Sequence, residues 1–179
     1  MSHGTTPDVL LWTLLGAVVL PAWLLAGLCD YLLHARTDIE HTSGLHESAL
    51  HLLQTAQIGV PALAVLFLEV DGAVLLLCVL GVVAHTVTAW RDLRYTQPLR
   101  HVGVPEQFVH AFLIVLPFAA LALVLVLHWP GPEGLDWTLR RKSAPFPPAA
   151  IAAVLAACLA LGVAPGAWEF LRCLRQARR

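Results

Sequence analysis

Acidic and histidine side chains recur at helical spacings in four places along this chain. A carboxylate and a histidine are separated by four residues in three pairs and by seven residues in the fourth: Asp30/His34, Glu47/His51, Glu106/His110 and His85/Asp92. Residues four or seven positions apart lie on one face of an α-helix, so each pair presents a carboxylate and an imidazole along the same stripe. Oxygen and nitrogen donors of this kind suit iron, manganese or zinc. The eight residues are therefore candidate metal ligands.

The chain that must position these groups is unusually apolar. It has 179 residues, of which 58 % are hydrophobic and 13 % are charged, and its mean hydropathy is +0.73. A soluble domain is about 45–50 % apolar and about 25 % charged, so lipid is the expected solvent. Crossing a bilayer takes roughly 20 mostly apolar residues. Five segments meet that length: 9–34, 47–68, 73–93, 105–128 and 149–171. The sequence predicts an all-α integral membrane protein, one domain over 1–179 with five transmembrane helices.

The basic residues indicate how the chain is oriented. Eight arginines fall on the side of the loops 35–46 and 94–104 and of the C-terminal tail, against three basic residues on the other side. The positive-inside rule then places the N-terminus outside and the C-terminus in the cytoplasm. Seven of the nine histidines map to the cytoplasmic half: His34, His41, His46, His51, His85, His101 and His110. The net charge is −1 and basic residues do not interleave with aromatic ones, which argues against nucleic acid as a partner.

Alternating helix direction brings all four acid–histidine stripes to the cytoplasmic end. An ionisable group inside a bilayer costs about 2.5–3.5 kcal/mol and usually marks function, which favours a metal site over a purely structural polar network. We therefore expect helices one to four to form an antiparallel bundle around the site. The fifth segment has no ionisable group before Glu169, so it is predicted to pack outside and to contribute nothing to the site. Four further residues are predicted to surround the ligands or to close the site: Glu40, His41, His46 and His101.

The ligand pattern of the first four segments resembles that of the di-iron and di-manganese carboxylate proteins, whose four-helix bundles turn Glu and Glu-x-x-His residues inward. Acid and histidine are one residue further apart here, in Glu47/His51 and Glu106/His110. The stretch EHTSGLHE over 40–47 is similar, more distantly, to the histidine boxes of membrane-bound alkane hydroxylases and fatty-acid desaturases, without their HxxHH pattern. The resemblance implies O2 activation and oxidation of an apolar or lipid-like substrate. Because the chain has no flavin or nicotinamide fingerprint, an external electron donor is expected.

The number of acidic ligands predicts the number of metal ions. Two divalent ions supply four positive charges against the four carboxylates, and a neutral site is favoured in an apolar medium. We expect a dinuclear centre with ions about 3.5–4 Å apart. Iron is the favoured metal, with zinc or manganese as alternatives.

Two other functions fit the same residues. A membrane zinc hydrolase would bind a single ion through the deeper ligands, with Glu47 or Glu106 as general base. Those deeper ligands are Asp30, His51, His85 and His110. A non-enzymatic metal- or haem-binding membrane protein is the second alternative, although axial haem ligation needs only two opposed histidines and leaves the matched acids unexplained.

Overall fold

The computed structural model describes residues 6–129 and 134–179. Over these ranges the regular elements are helices, with one isolated antiparallel bridge between Leu68 and Arg141. Five helices are long and apolar enough to cross a membrane: α1 (Pro7–Arg36), α2 (Gly44–Phe67), α3 (Gly72–Thr96), α4 (Val104–Leu127) and α5 (Pro148–Ala177). The prediction of an all-helical chain with five such segments is confirmed. The boundaries differ by a few residues, and α5 extends furthest beyond its prediction, ending at Ala177 rather than at residue 171.

Helices α1 and α5 each contain a π-helical stretch. It spans Leu15–Val19 in α1 and Cys158–Val163 in α5. A π-turn inserts an extra residue into the helical repeat, so the residues after it face a different direction from that of a regular α-helix. In both helices the polar groups of interest follow the π-turn, namely Asp30 and His34 in α1 and Glu169 in α5. The two π-turns therefore help to set the direction in which these groups point.

Contacts between the helices close a ring. Helix α1 packs on α4 and α5, α2 packs on α3 and α5, and α3 packs on α4. Helix α5 thus lies between α1 and α2, and the prediction that it packs outside a four-helix bundle is wrong. Gly162 and Gly166 of α5 face these two neighbours, because a Cβ at Gly162 would make ordinary van der Waals contact with Leu24 of α1 and a Cβ at Gly166 with Leu52 of α2, both at 3.5 Å.

Helices α2 and α3 are in close contact at Gly81. A Cβ built there would lie 2.5 Å from the Gln57 carbonyl oxygen and 2.6 Å from the Pro61 side chain. Only glycine fits such a contact without a shift of backbone. The same helix pair carries His51 and Asp92, which meet at the other end of the interface. Gly81 therefore helps to fix the separation of two predicted ligands.

The segment 134–147 lies against the turn between α2 and α3. Lys142 donates from its backbone N–H to the Phe67 carbonyl, and its ammonium donates to two more carbonyls at the end of α2. One carboxylate oxygen of Glu69 accepts hydrogen bonds from the Ser143 hydroxyl and backbone N–H, both at 2.7 Å. These bonds hold the pKa of Glu69 below its ordinary value. This segment covers the ends of α2 and α3 that lie far from His51 and Asp92.

Candidate metal centre

Nine acidic and histidine side chains, drawn from all five helices, lie in or beside one cluster. They come from late positions of α1, α3 and α5 and from early positions of α2 and α4, so neighbouring helices in the ring of contacts mostly run in opposite directions. Seven are less than a tenth exposed and two, His51 and His110, are half-buried. The nine are Asp30, His34, Glu47, His51, His85, Asp92, Glu106, His110 and Glu169.

His34 lies at the centre of this cluster and is fully buried. Its Nδ1 lies 3.1 Å from Glu169 Oε2, and its Nε2 lies 3.2 Å from Glu106 Oε1. The same Nε2 is 3.6 Å from Asp30 Oδ1 and 3.9 Å from Glu47 Oε1. Both ring nitrogens therefore face carboxylate oxygens.

His51 repeats this arrangement on α2. Its Nδ1 lies 3.0 Å from Glu169 Oε1, and its Nε2 lies 3.1 Å from Asp92 Oδ2 and 3.9 Å from Glu47 Oε1. The imidazoles of His34 and His51 are stacked, with ring centroids 4.7 Å apart and planes 10° from parallel. One carboxylate, that of Glu169, thus binds the Nδ1 atoms of both rings.

Each of the two imidazoles faces carboxylate oxygens with both ring nitrogens, which requires either a second ring proton or a cation near Nε2. A neutral imidazole carries one N–H, and with Nδ1–H donating to Glu169 the Nε2 atom is left with a lone pair. In that neutral state the lone pair faces carboxylate oxygens, which repel it unless a cation lies between them. Metal-binding histidines typically donate the other ring N–H to a carboxylate, which fixes their tautomer and orientation. Glu169 occupies this orienting position for both rings.

Asp30 and His110 are also in close contact. His110 Nε2 lies 3.0 Å from Asp30 Oδ1, and this oxygen is buried. Two ligands on one ion bound at about 2.1 Å lie about 3.0–3.4 Å apart. The contact therefore has a spacing that two ligands of one cation would also have.

Arg100 lies in the loop between α3 and α4 and was not predicted as part of the site. Its guanidinium nevertheless contacts two of the predicted ligands. Its Nη2 lies 2.6 Å from Glu47 Oε1 and also contacts Glu106 Oε1, and its Nη1 lies 2.9 Å from Glu106 Oε2. Burial lowers the pKa of Arg100, but the hydrogen bonds to Glu106 and Glu47 raise it more, so it ends above its ordinary value. The signal available in the sequence was the excess of acids over cations among the predicted ligands, which calls for a buried counter-charge.

The structure brings most of the predicted ligands together in two overlapping groups. One consists of Asp30, His34, Glu106 and His110, and the other of His34, Glu47 and His51; in each, the ligand atoms lie within 4.8 Å of one another. Asp92 joins the second group through His51 and also accepts from Gln54.

His85 is the predicted ligand that the structure places furthest from these contacts. It is 3 % exposed, and its Nδ1 has no hydrogen-bond partner among the described residues. Its side chain lines a cavity together with His34 and His51. Asp92, seven residues further along α3, pairs with His51 of α2. His85 and Asp92 are thus both buried, but only Asp92 contacts another predicted ligand.

The four residues predicted to surround the site have partners elsewhere or are exposed. Glu40 Oε2 lies 3.5 Å from Arg172. His41 pairs with Asp38 at 2.7 Å on the surface, and the ring of His46 packs on Tyr95 with centroids 4.3 Å apart. His101 is exposed.

Glu169 corrects the prediction that the fifth helix contributes nothing to the site. It is 2 % exposed and contacts His34 and His51. In the sequence it is the first ionisable residue of the fifth apolar segment and lies near the end of that segment. The four-residue spacing that marked the other acids has no counterpart here, because its histidines lie on α1 and α2.

The cavity beside the cluster has a largely apolar wall. It runs along α1 and α5, where it is lined by Trp23, Leu24, Gly27 and Gly162, and it reaches Leu113 of α4. Its polar end is formed by Asp30, His34, His51, His85 and Glu169. An apolar group in this cavity would contact the cluster directly.

No family model, curated protein or solved structure matches the chain. The site is therefore interpreted from its own geometry and chemistry.

Proposed function

We propose that this chain is a multi-pass membrane protein that binds two divalent metal ions between its helices, at the cytoplasmic end, and uses them to oxidise an apolar substrate with O2. The observation that carries the metal site is the convergence of buried carboxylate and imidazole atoms in two overlapping groups, within 4.8 Å of one another in each. The orientation rests on the arginine-rich loops and tail that adjoin the cluster.

The charges of the buried groups support two ions. The carboxylates in contact number five (Asp30, Glu47, Asp92, Glu106 and Glu169), and Arg100 contributes one positive charge, so 5 − 1 leaves four negative charges. Two divalent ions balance four negative charges while the histidines stay neutral. The balance predicted with four acids is unchanged, because the unexpected acid Glu169 is offset by the unexpected cation Arg100. An uncompensated charge in this apolar setting would be costly.

The geometry suggests how the ligands divide between the two ions. Asp30, His34, Glu106 and His110 form the first set, and Glu47, His51 and Asp92 form the second. Glu47 Oε1 lies 3.9 Å from the Nε2 atoms of both His34 and His51, which suits a carboxylate between two ions about 3.5–4 Å apart. Arg100 contacts the oxygens of Glu47 and Glu106 and fixes their direction.

An oxidative function is supported by the ligand set and by the cavity. Mixed histidine and carboxylate ligation suits iron, which supplies the redox chemistry with O2 that zinc lacks. Glu169 would orient the rings of His34 and His51. The wall formed by α1 and α5 would hold an apolar group against the cluster and exclude water from it. Electrons would come from an external donor, since the sequence has no flavin or nicotinamide fingerprint.

A membrane zinc hydrolase is the second candidate. The set of Asp30, His34, Glu106 and His110 offers four ligand atoms close together, of which a catalytic zinc ion would use three and keep its fourth position for water. A haem between His34 and His51 is disfavoured, because their rings are stacked 4.7 Å apart and leave no space for a porphyrin.

The test compares metal content, colour and oxygen uptake in protein purified without added metal and then loaded with Fe(II). We expect a near-ultraviolet charge-transfer band in the oxidised iron form and O2 consumption in the presence of a reductant and lipid. His51→Ala and His110→Ala should lose metal, whereas His101→Ala, at an exposed position, should retain it. Equal metal content in all three variants would remove the metal-site assignment. Zinc that iron cannot displace, without an optical band, would favour the hydrolase.

A further inference from the structure

A groove rich in arginine lies at the C-terminal end of α5, outside the metal centre. It is lined by Arg172, Arg175 and Gln176 of α5, by Arg179 just beyond the end of that helix, and by Glu40 and His41 of the short helical turn Ile39–His41. Arg172 and Arg175 are three residues apart, so they share one face of the helix. The groove thus contains three guanidinium groups and, among its lining residues, the carboxylate of Glu40.

Arg172 has unused donors inside this groove. Its Nε and Nη2 atoms are buried and form no hydrogen bond with the described residues. The acid across the groove, Glu40, approaches only to 3.5 Å of Nη2, and its Oε2 likewise accepts no hydrogen bond there. Buried guanidinium donors are normally hydrogen-bonded, because a charged donor without an acceptor is expensive to keep from water. Arg172 has an ion pair with Glu40 but lacks these hydrogen bonds, and an anionic ligand would supply them.

The neighbouring arginine is held in place by an aromatic ring. The guanidinium of Arg175 lies over the Trp168 ring, 5.5 Å from its centroid. Stacking of this kind orients the planar group and leaves its N–H edge free to bind. Three arginines against Glu40 leave a net positive charge in the groove.

We propose that this groove binds a phosphate group. Guanidinium groups bind phosphate through paired hydrogen bonds. The groove offers the donors of three arginines at the C-terminal end of α5. The same ligand chemistry is available from a phospholipid headgroup and from free phosphate. Arg172 follows Glu169 by three residues, so the groove lies at the end of α5 where a lipid headgroup would stand if the helix crosses a bilayer. The proposal is independent of the metal centre.

The test measures binding of two phosphate sources to the full-length chain in a non-ionic detergent by calorimetry. Dihexanoyl phosphatidic acid represents the lipid headgroup, and inorganic phosphate represents the soluble source. We expect Arg172→Gln and Arg175→Gln each to lose about tenfold or more in affinity, as the loss of a charge-assisted hydrogen-bond pair implies. Arg178→Gln is the matched control, since it removes the same charge from an exposed position that does not line the groove.

Each outcome supports or overturns the proposal. Displacement of the lipid by inorganic phosphate means that the groove accepts free phosphate, and lipid binding without such displacement identifies the headgroup as the source. If neither compound binds, or if Arg178→Gln loses as much affinity as the other two variants, the proposed phosphate site is wrong. Because Arg175 is exposed and its side chain lies at the surface, its variant should fold even if Arg172→Gln does not. The helical circular dichroism signal of each variant shows whether it is folded.

Discussion

Replacing Glu169 with glutamine should weaken metal binding without removing a ligand. The carboxylate accepts a hydrogen bond from Nδ1 of His34 at 3.1 Å and from Nδ1 of His51 at 3.0 Å. An amide has one oxygen, so one ring keeps its acceptor while the other faces an N–H2 group that cannot accept. Loss of such an orienting partner costs about 10–100-fold in metal affinity, which corresponds to about 1.4–2.7 kcal/mol. Glu169→Leu, which frees both rings, should weaken binding further.

The assay is competition for the metal with a chelator of known affinity, followed by mass spectrometry of the bound metal. Glu69→Gln is the control, because Glu69 lies at the opposite end of α2 and contacts Ser143. Wild-type helical content shows that the variant is folded. An affinity of Glu169→Gln within about twofold of wild type, well below the 10–100-fold expected of an orienting partner, would show that Glu169 does not orient the histidines and would refute the reasoning.

Three further predictions concern a buried ion pair, a close helix contact and a loop carboxylate. Arg100→Met leaves two buried glutamates without their cationic partner, so the free energy of unfolding of the metal-free protein should fall by about 3–5 kcal/mol. A smaller loss that added Zn(II) does not change would show that Arg100 is not the partner that stabilises the two glutamates. Gly81→Ala should lower the free energy of unfolding by about 1–3 kcal/mol through overpacking. Gly59→Ala, with open space at its Cβ, should raise it by about 0.5–1 kcal/mol. Unfolding by a denaturing detergent measures both. The lowered pKa of Glu69 means that its hydrogen bonds to Ser143 stabilise the fold above pH 4.5 and stop doing so as pH falls through the folded-state pKa. Unfolding of Glu69→Gln should therefore depend less on pH in this range than wild type, and identical profiles would contradict it.

The helices were predictable because the hydropathy that marks a membrane-spanning segment is a property of the local sequence. Five apolar runs of sufficient length predict five helices, and the structure has five. The three acid–histidine pairs at a spacing of four were also visible, because a helix alone brings their members to one face. Asp30 and His34, for example, meet at 3.6 Å within α1.

The remainder of the site depends on contacts between helices, which no local pattern records. Glu169 pairs with residues 135 and 118 positions away, and Arg100 with Glu47 53 positions away. Arg100 was read as a marker of orientation because it lies in a loop between helices. The spacing of His85 and Asp92 correctly indicated two inward-facing residues of α3, but it could not show that Asp92 would pair with His51 of another helix.

The number of metal ions per chain tests the central claim most directly. The measurement is metal analysis by mass spectrometry on protein purified gently without added metal, followed by titration of the chelator-stripped protein with Fe(II), Mn(II) or Zn(II). We expect two ions per chain, because two divalent charges balance five carboxylates and one arginine. A firm value of one, with no second site on titration, would contradict the dinuclear centre and favour a mononuclear zinc site. Failure to bind any metal would show that the cluster is a buried network of protonated histidines and carboxylates.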